Sequence, residues 1–406
     1  MRVEVIKAYK VPIEAPKDLI NAYFKIKEIA LYEISRHIKY SKRGKAHLNF
    51  SAEDRRELRN TLLRNWRFSK HYVDSAINSV IGLVKGWIKL YNRGKAKSKP
   101  KIKITKKTVY VKNTLFSYRN GILKISIEPY KRYLEVDLRK YGWIPDDFDK
   151  IGGLILNEKE LIITVKKEVK LEKPQCWASL DVNLTNITAL INGRVVRYDL
   201  KKLYHIHRVY EEKRRKIQRL SKHKPKTAKR LMEKYSRRER NRAKDFMHKL
   251  TGKIVEELVK VKSGAILEDL KGIKDDVLNK SKKLNRKLSK WNARTFQFML
   301  EYKLKWLGLP VKYVSPVNSS KTCPLCRAEM SAYGGRLMKC KKCNLVLDRD
   351  VVAVLNLQMW GLGVAPKALL EALASMMGKR LVNQKLTNFH ESLPTVNSHI
   401  NNTGRL

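Results

Sequence analysis

Two pairs of cysteines, Cys323-Pro324-Leu325-Cys326 and Cys340-Lys341-Lys342-Cys343, constrain this chain more than any other feature. Thiolates two residues apart close a tight loop around a tetrahedral metal, and two such loops complete a four-sulfur zinc site. A ribbon over residues 323–344 is therefore expected, pinned by one structural Zn2+ held by Cys323, Cys326, Cys340 and Cys343. Directly after it comes Leu347-Asp348-Arg349-Asp350, acidic and helix-starting. Four thiolates close the zinc site, so these acids are available to a different metal. The fifth cysteine, Cys176, precedes an apolar strand and reads as a small buried residue. Four of five cysteines in metal-type spacing suit a reducing cytoplasm.

A chain of 406 residues should hold two to four compact units. Its hydrophobic content of 43% is enough for real cores. The charge is the unusual quantity: 89 Lys and Arg face 38 Asp and Glu, a net charge of +51. Such a surplus makes a compact state self-repelling unless a polyanion is bound, so the expected partner is nucleic acid. No long uncharged apolar run and no lipidation motif points to a membrane. The N-terminus alternates like a strand and lacks the apolar block of a secretory signal. The implied location is the cytoplasm, in association with the nucleoid.

The alternation of Val3, Val5, Tyr9 and Val11 predicts a strand over residues 1–12. A helical region follows over 13–94. Ser51 and Asp54 form a capping-box pattern, and Val73, Ile77, Val80, Val84 and Tyr91 keep helical spacing. The aromatics of these helices read as a helical core and not as a base-stacking platform. From about Val109 the period becomes two, with Asn120-Gly121 as a type I′ hairpin signal. The first strand and residues 95–174 are expected to close one small β-barrel, with the helices as an insertion. A second domain over 175–322 alternates strands with helices. Its helices within 201–260 are strongly basic, and Arg214, Arg215, Arg237 and Arg238 are candidate phosphate contacts. Residues 345–362 complete that domain. The tail 363–406 should hold one helix (Pro366 to Met377) and a disordered end.

Three carboxylates fall at element ends. Asp181 closes the first strand of a three-stranded antiparallel unit, and Glu268 ends a separate apolar strand. Asp350 opens a helix, where the positive helix end favours a carboxylate, with Asp348 as its cap. Singly, an acid at a strand end is usually a turn or cap residue. Together, in the order strand, strand, helix, the three can converge on one cavity, as in a ribonuclease-H-like sheet. Mg2+ prefers oxygen ligands and keeps several waters, so three carboxylates and a substrate phosphate suffice for a pair of ions roughly 4 Å apart.

These residues resemble a known family. Ser179-Leu180-Asp181, Leu267-Glu268-Asp269-Leu270, the paired cysteines and Asp348-Arg349-Asp350 occur in the order seen in TnpB, the transposon-encoded RNA-guided DNA nucleases related to type V CRISPR effectors. The likeness is strong over about Cys176 to Gly361 and looser before it. It implies an α+β multidomain chain: a wedge barrel (1–12 and 95–174) with a helical recognition lobe (13–94), then a RuvC nuclease domain carrying a zinc ribbon. It implies Asp181, Glu268 and Asp350 as the catalytic, Mg2+-binding triad, and the four cysteines as zinc ligands. Departures are Asn183 and Arg327 and Asn344 at positions that are usually glycine, and Val352 at a usual asparagine. Asn tolerates left-handed backbone well, and Arg327 less so.

The implied activity is Mg2+-dependent hydrolysis of double-stranded target DNA at a single site, directed by a guide RNA from the transposon end. Two other readings keep the fold: a guide-dependent DNA-binding repressor that does not cut, and a carboxylate-triad transposase. A zinc-ribbon RNA-binding protein without catalysis would leave the three acids unexplained.

Overall fold

The computed structural model describes residues 1–96, 102–271, 291–363 and the short strand at 395–396. The chain divides into two compact units, residues 4–168 and residues 169 onward together with 1–3.

In the first unit, β1 (Arg2–Pro12) leads into α1 (Lys17–Arg36) and the small hairpin of β2 (Ile38–Tyr40) and β3 (Ala46–Leu48). Helices α2 (Ala52–Leu63) and α3 (Lys70–Tyr91) follow. The start of α2 is fixed reciprocally: Ser51 Oγ accepts from the Asp54 amide at 3.0 Å, and the Asp54 carboxylate accepts from the Ser51 amide at 2.7 Å. Val73, Ile77, Val80 and Val84 of α3 are all buried, and Tyr72 meets Tyr23 edge-on with ring centroids 6.5 Å apart. Tyr23 and Tyr72 are thus core residues, whereas Trp66, Trp87 and Tyr91 are only half-buried, with the Trp87 and Tyr91 rings stacked 5.1 Å apart.

The later strands of this unit are β4 (Val109–Val111), β5 (Phe116–Arg119), β6 (Ile122–Glu128), β7 (Arg132–Asp137), β8 (Lys150–Leu156) and β9 (Glu160–Lys170). Asn120 and Gly121 have φ of 50° and 79°, as a type I′ turn requires. β1 joins the late strands in the order β1–β9–β8–β4, so the helices lie in sequence between partners of one sheet. No closed barrel forms among the described residues. β5, β6 and β7 make a separate three-stranded sheet. Short 3-10 turns at Asn113–Leu115 and Leu138–Lys140 turn the chain at both ends of that sheet, so the ladder does not continue round.

The second unit is built on a mixed sheet. β10 (Cys176–Val182), β11 (Asn186–Ile191) and β12 (Arg194–Asp199) form an antiparallel meander. After α4 (Lys201–Leu220) and α5 (Pro225–Lys260), β13 (Ser263–Glu268) returns parallel to β10. Helix α6 (Ala293–Trp306) then leads to β14 (Val311–Val314), parallel to β13. Ala178, Leu180, Ala265 and Leu267 pack in one core with Phe246, Leu250 and Ile254 of α5 and Phe296 and Leu300 of α6. The ribbon strands β15 (Met330–Ala332), β16 (Leu337–Cys340) and β17 (Val346–Asp348) run into α7 (Arg349–Leu362). A final strand, β18 (Thr395–Val396), pairs with β12. The helix expected at Pro366 to Met377, and most of the tail, lie outside the described residues. Among the described residues, no helix is long and apolar enough to cross a membrane.

Helix α7 lies against the other face of the sheet. Ser179 Oγ donates to the Val354 carbonyl at 2.6 Å, and Gln358 Nε2 donates to the Trp177 carbonyl at 3.1 Å. Gly361 permits the close approach of these layers, and Gly264 makes room for Trp177 on the neighbouring strand. A Cβ on Gly361 would sit 2.7 Å from Ile266, and one on Gly264 would sit 2.7 Å from the Trp177 ring beside it. Gly264→Ala is therefore expected to destabilise the fold by about 1–3 kcal/mol through overpacking. A lowered thermal midpoint would verify this, and an unchanged one would mean that Trp177 can shift without loss.

Candidate functional site

The sheet brings two of the three acids to one end. Leu180 pairs with Leu267 across the parallel strands β10 and β13, and Asp181 and Glu268 are the next residue on each. Alternation puts both strands' flanking apolar residues into the core and leaves the acids at the carboxyl ends. The Glu268 carbonyl is held by Gln297 Nε2 at 2.8 Å. The third acid arrives with α7, where Asp348 Oδ1 caps the helix by accepting from the Asp350 amide at 2.8 Å. All three are nearly inaccessible, with Asp181 and Glu268 8% exposed and Asp350 3% exposed.

The electrostatics of the acids follow from their burial and their neighbours. Burial first, and then the charge of Asp350, push the Asp181 carboxyl up to about 6. Burial and then Asp181 push Glu268 up to about 8. Asp181 is thus the link between the other two: it is raised by Asp350 and in turn raises Glu268. Their oxygens are not all within 4.8 Å of one another. The donor set is wholly oxygen and the acids resist ionising together, so the residues present fit hard divalent cations such as Mg2+.

Other side chains close in on the acids. Asn183 Nδ2 donates to Asp181 Oδ2 at 2.8 Å, and Asn186 Nδ2 donates to Asp350 Oδ2 at 3.1 Å. Arg336, from the ribbon, donates to Asp350 Oδ2 and lies 3.5 Å from Asp348, which also meets Arg197 at 3.3 Å. Asn183 does not take the left-handed backbone anticipated for it; its contribution is the amide. Val352 is fully buried in the apolar cluster that α7 shares with Leu190 and the ribbon, a place suited to an aliphatic side chain.

The four cysteines form a compact sulfur cluster. Cys323 and Cys343 Sγ are 3.6 Å apart, Cys326 and Cys340 Sγ are 3.4 Å apart, and all four lie within 4.8 Å of one another. A tetrahedral zinc with bonds of about 2.3 Å needs separations of about 3.8 Å, so the set fits. Burial raises the Cys340 thiol, but the amides of Cys343 and Lys342 donate to its sulfur and bring it down to about 6. Burial raises Cys323 to about 12, so a metal must displace its proton. Each pair closes through a left-handed residue, Arg327 at φ 61° and Asn344 at φ 57°. The ribbon is tied to α7 by Asn356, whose amide donates to the Ser319 and Thr322 carbonyls, each at 2.7 Å.

The four candidate phosphate contacts divide. Arg214 is engaged with Glu239, which also meets His207 Nδ1 at 2.8 Å. Arg215 pairs with Glu211 at 2.8 Å. Arg237 and Arg238 are exposed, with the Arg238 guanidinium 6.0 Å from the Tyr235 ring.

This mixed α/β, multidomain fold is similar to that of a solved small Cas12 effector. A solved Cas12f1–sgRNA–target DNA complex matches it with a TM-score of 0.54 at 16% identity, covering 84% of this chain and 80% of that one. The chain belongs to the TnpB-like family. TnpB-like protein MJ0751 of Methanocaldococcus jannaschii is 39% identical over 257 residues, 60% of this chain and 92% of that protein. The CRISPR-associated endodeoxyribonuclease Cas12f1 of an uncultured archaeon is 25% identical over 51% of this chain and 42% of its own length. Family models match in three places: "Uncharacterized protein MJ0013 family" over residues 19–126, "Probable transposase" over 160–272, and "Cas12f1-like, TNB domain" over 294–357.

Two outcomes follow from this geometry. Unfolded Asp and Glu release protons near 3.8 and 4.5, whereas folded Asp181 and Glu268 hold them to about 6 and 8. Between about pH 4 and 8 the folded state binds more protons, so its stability in EDTA should fall as pH rises. Thermal melts should show a decline of several degrees, flattened in Asp181→Asn with Glu268→Gln and removed by Mg2+; a flat wild-type curve would contradict the coupling. In the ribbon, Arg327→Gly should relieve left-handed strain worth up to about 1 kcal/mol. Slower loss of Zn2+ to a chelator is the measurement, and faster loss would show that the arginine side chain contributes more than its backbone withholds.

Proposed function

We propose that this protein is an RNA-guided, Mg2+-dependent DNA endonuclease of a mobile element, cutting at one RuvC-type site made by Asp181, Glu268 and Asp350. One observation carries this reading: acids from three distant segments lie buried, Asp181 and Glu268 on adjacent strand ends and Asp350 tied to the same strand end through Asn186. The strand order β14–β13–β10–β11–β12, with β10 to β12 antiparallel and β13 and β14 parallel to β10, supports a ribonuclease-H-like assignment for residues 175–362.

Two bound Mg2+ ions would activate water and neutralise charge on the leaving oxygen. The protein's own part is to present that site. Asp181 and Glu268 present their carboxylates from adjacent strand ends, and Asp350 presents its own from the first turn of α7. The core behind β10 and β13 holds the carboxylates in place and limits water around them. Arg336, half exposed, is within reach of the site and can turn from Asp350 to a substrate phosphate. The four-cysteine ribbon would hold Zn2+ and keep Arg336 and α7 in register.

Guide RNA and target DNA enter this proposal from the relatives. The Cas12f1 structure is a complex with sgRNA and target DNA, and a net charge of +51 demands a polyanion of some kind. The exposed Arg237 and Arg238 are the better candidates of the four for phosphate contact. The decisive experiment purifies the protein from its host, sequences the RNA bound to it, and tests cleavage of DNA matching that RNA. Wild type should cut in Mg2+ and not in EDTA, and Asp181→Ala should lose at least about 10³-fold in rate. Guide-dependent binding without cutting by wild type would instead establish a repressor.

A further inference from the structure

We propose that Asn183 and Asn186, which close the turn between β10 and β11, are positioning residues for the divalent-cation site. Each holds one carboxylate so that its remaining lone pairs face the ion; the inference rests on the nuclease reading above. The turn is closed by the Asn183 amide donating to the Asn186 carbonyl at 2.9 Å. From this single turn, Asn183 reaches Asp181 at 2.8 Å and Asn186 reaches Asp350 at 3.1 Å. One short segment therefore ties together an acid from a strand and an acid from a helix that belong to separate parts of the sequence.

The chemistry of the donors suits this task. Asn186 Nδ2 carries two hydrogens, and its second partner is Thr188 Oγ1 at 3.2 Å. Thr188 is itself fully buried, so the amide is fixed in two directions at once. A carboxylate has about four acceptor sites, so one amide leaves the rest for a cation. The amides are neutral and do not compete with the incoming charge. Arg336, which shares Asp350 Oδ2 with Asn186, is charged and half exposed, so it is the partner a cation displaces. Asparagines that merely form a turn bond to nearby backbone, whereas these two side chains are spent on the acids. Outer partners that orient ligating carboxylates commonly change metal affinity by about 10- to 100-fold.

The test is a Mg2+ titration of thermal stability on the full chain, in wild type, Asn183→Gly, Asn186→Ala and Asp181→Ala, with DNA cleavage measured alongside. Asn183→Gly removes the donor and also frees the backbone there, so its readout is the Mg2+ midpoint and not the melting point. Each asparagine variant should need roughly tenfold more Mg2+ for half-maximal stabilisation. Its melting point in EDTA should fall by at most a few degrees, from loss of one amide bond to an acid, and its cleavage should return at high Mg2+. An unchanged Mg2+ midpoint in both variants overturns the proposal, as does a lower melting point in EDTA with no change in midpoint, which marks a purely structural turn. A wild type that neither responds to Mg2+ nor cuts defeats the nuclease reading and this inference with it. A wild type that does both, with asparagine variants identical to it, defeats this inference alone.

Discussion

The docking of α7 against β10 is the constraint on which the rest of this unit depends. Without it, Asp350 has no reason to be near Asp181. The docking is specific because Ser179 Oγ bonds the Val354 carbonyl inside a buried layer, where an unpaired hydroxyl would cost about 1–3 kcal/mol. It is also tight, since Gly361 lets the helix lie directly on Ile266. Asn356 then attaches the ribbon's lead-in to the same helix. One helix is thereby bonded to the sheet on one side and to the cysteine ribbon on the other, and the acid in its first turn has little freedom.

That rigidity matters because the site is electrostatically unfavourable on its own. Three acids are removed from water with Asp181 in between, and their ionised forms repel. The protein offsets this locally with Arg336, Arg197 and the two amides, all of which reach Asp181, Asp350 or their neighbour Asp348. These local donors offset only part of the repulsion, as the raised carboxyls of Asp181 and Glu268 attest. A small, doubly charged ion relieves it far more effectively than a guanidinium, because it approaches several oxygens at once. The overall surplus of +51 acts on a different scale, drawing a polyanion to the surface without neutralising a buried pocket.

Much of this arrangement was legible in the sequence because it rests on local rules. Period-two alternation marked β1, a short apolar run ending in acid marked β13, Asn120-Gly121 marked a hairpin turn, and Asp348 read correctly as the cap of α7. The cysteine spacing gave the sulfur cluster because two short loops leave few alternatives. The expected barrel failed for a non-local reason. Alternation shows that a segment is a strand but not which strand it will meet, and two 3-10 turns divide those strands into separate sheets. Asn183, Asn186 and Arg336 were missed for a related reason: Asn in a turn and Arg in a basic chain are commonplace, and only their partners make them informative. Arg214 shows the reverse, since its sequence neighbourhood is basic while its actual partner, Glu239, lies on the next helix.

The ribbon's small size sharpens the point about α7. Its three strands have three, four and three residues, too little sheet to fold alone without a staple. Two staples are present. One is the sulfur cluster, and the other is the apolar seam in which Met330, Leu345 and Leu347 join Val351, Val352 and Leu355 of the helix. The seam explains why an aliphatic residue at 352 is compatible with an ordered site. It also means that the ribbon and the acid-bearing turn share a single packed layer, with Arg336 extending from one to the other. Disturbing the sulfur end of that layer should therefore be felt at Asp350 through packing, since close-packed side chains transmit strain and do not absorb it.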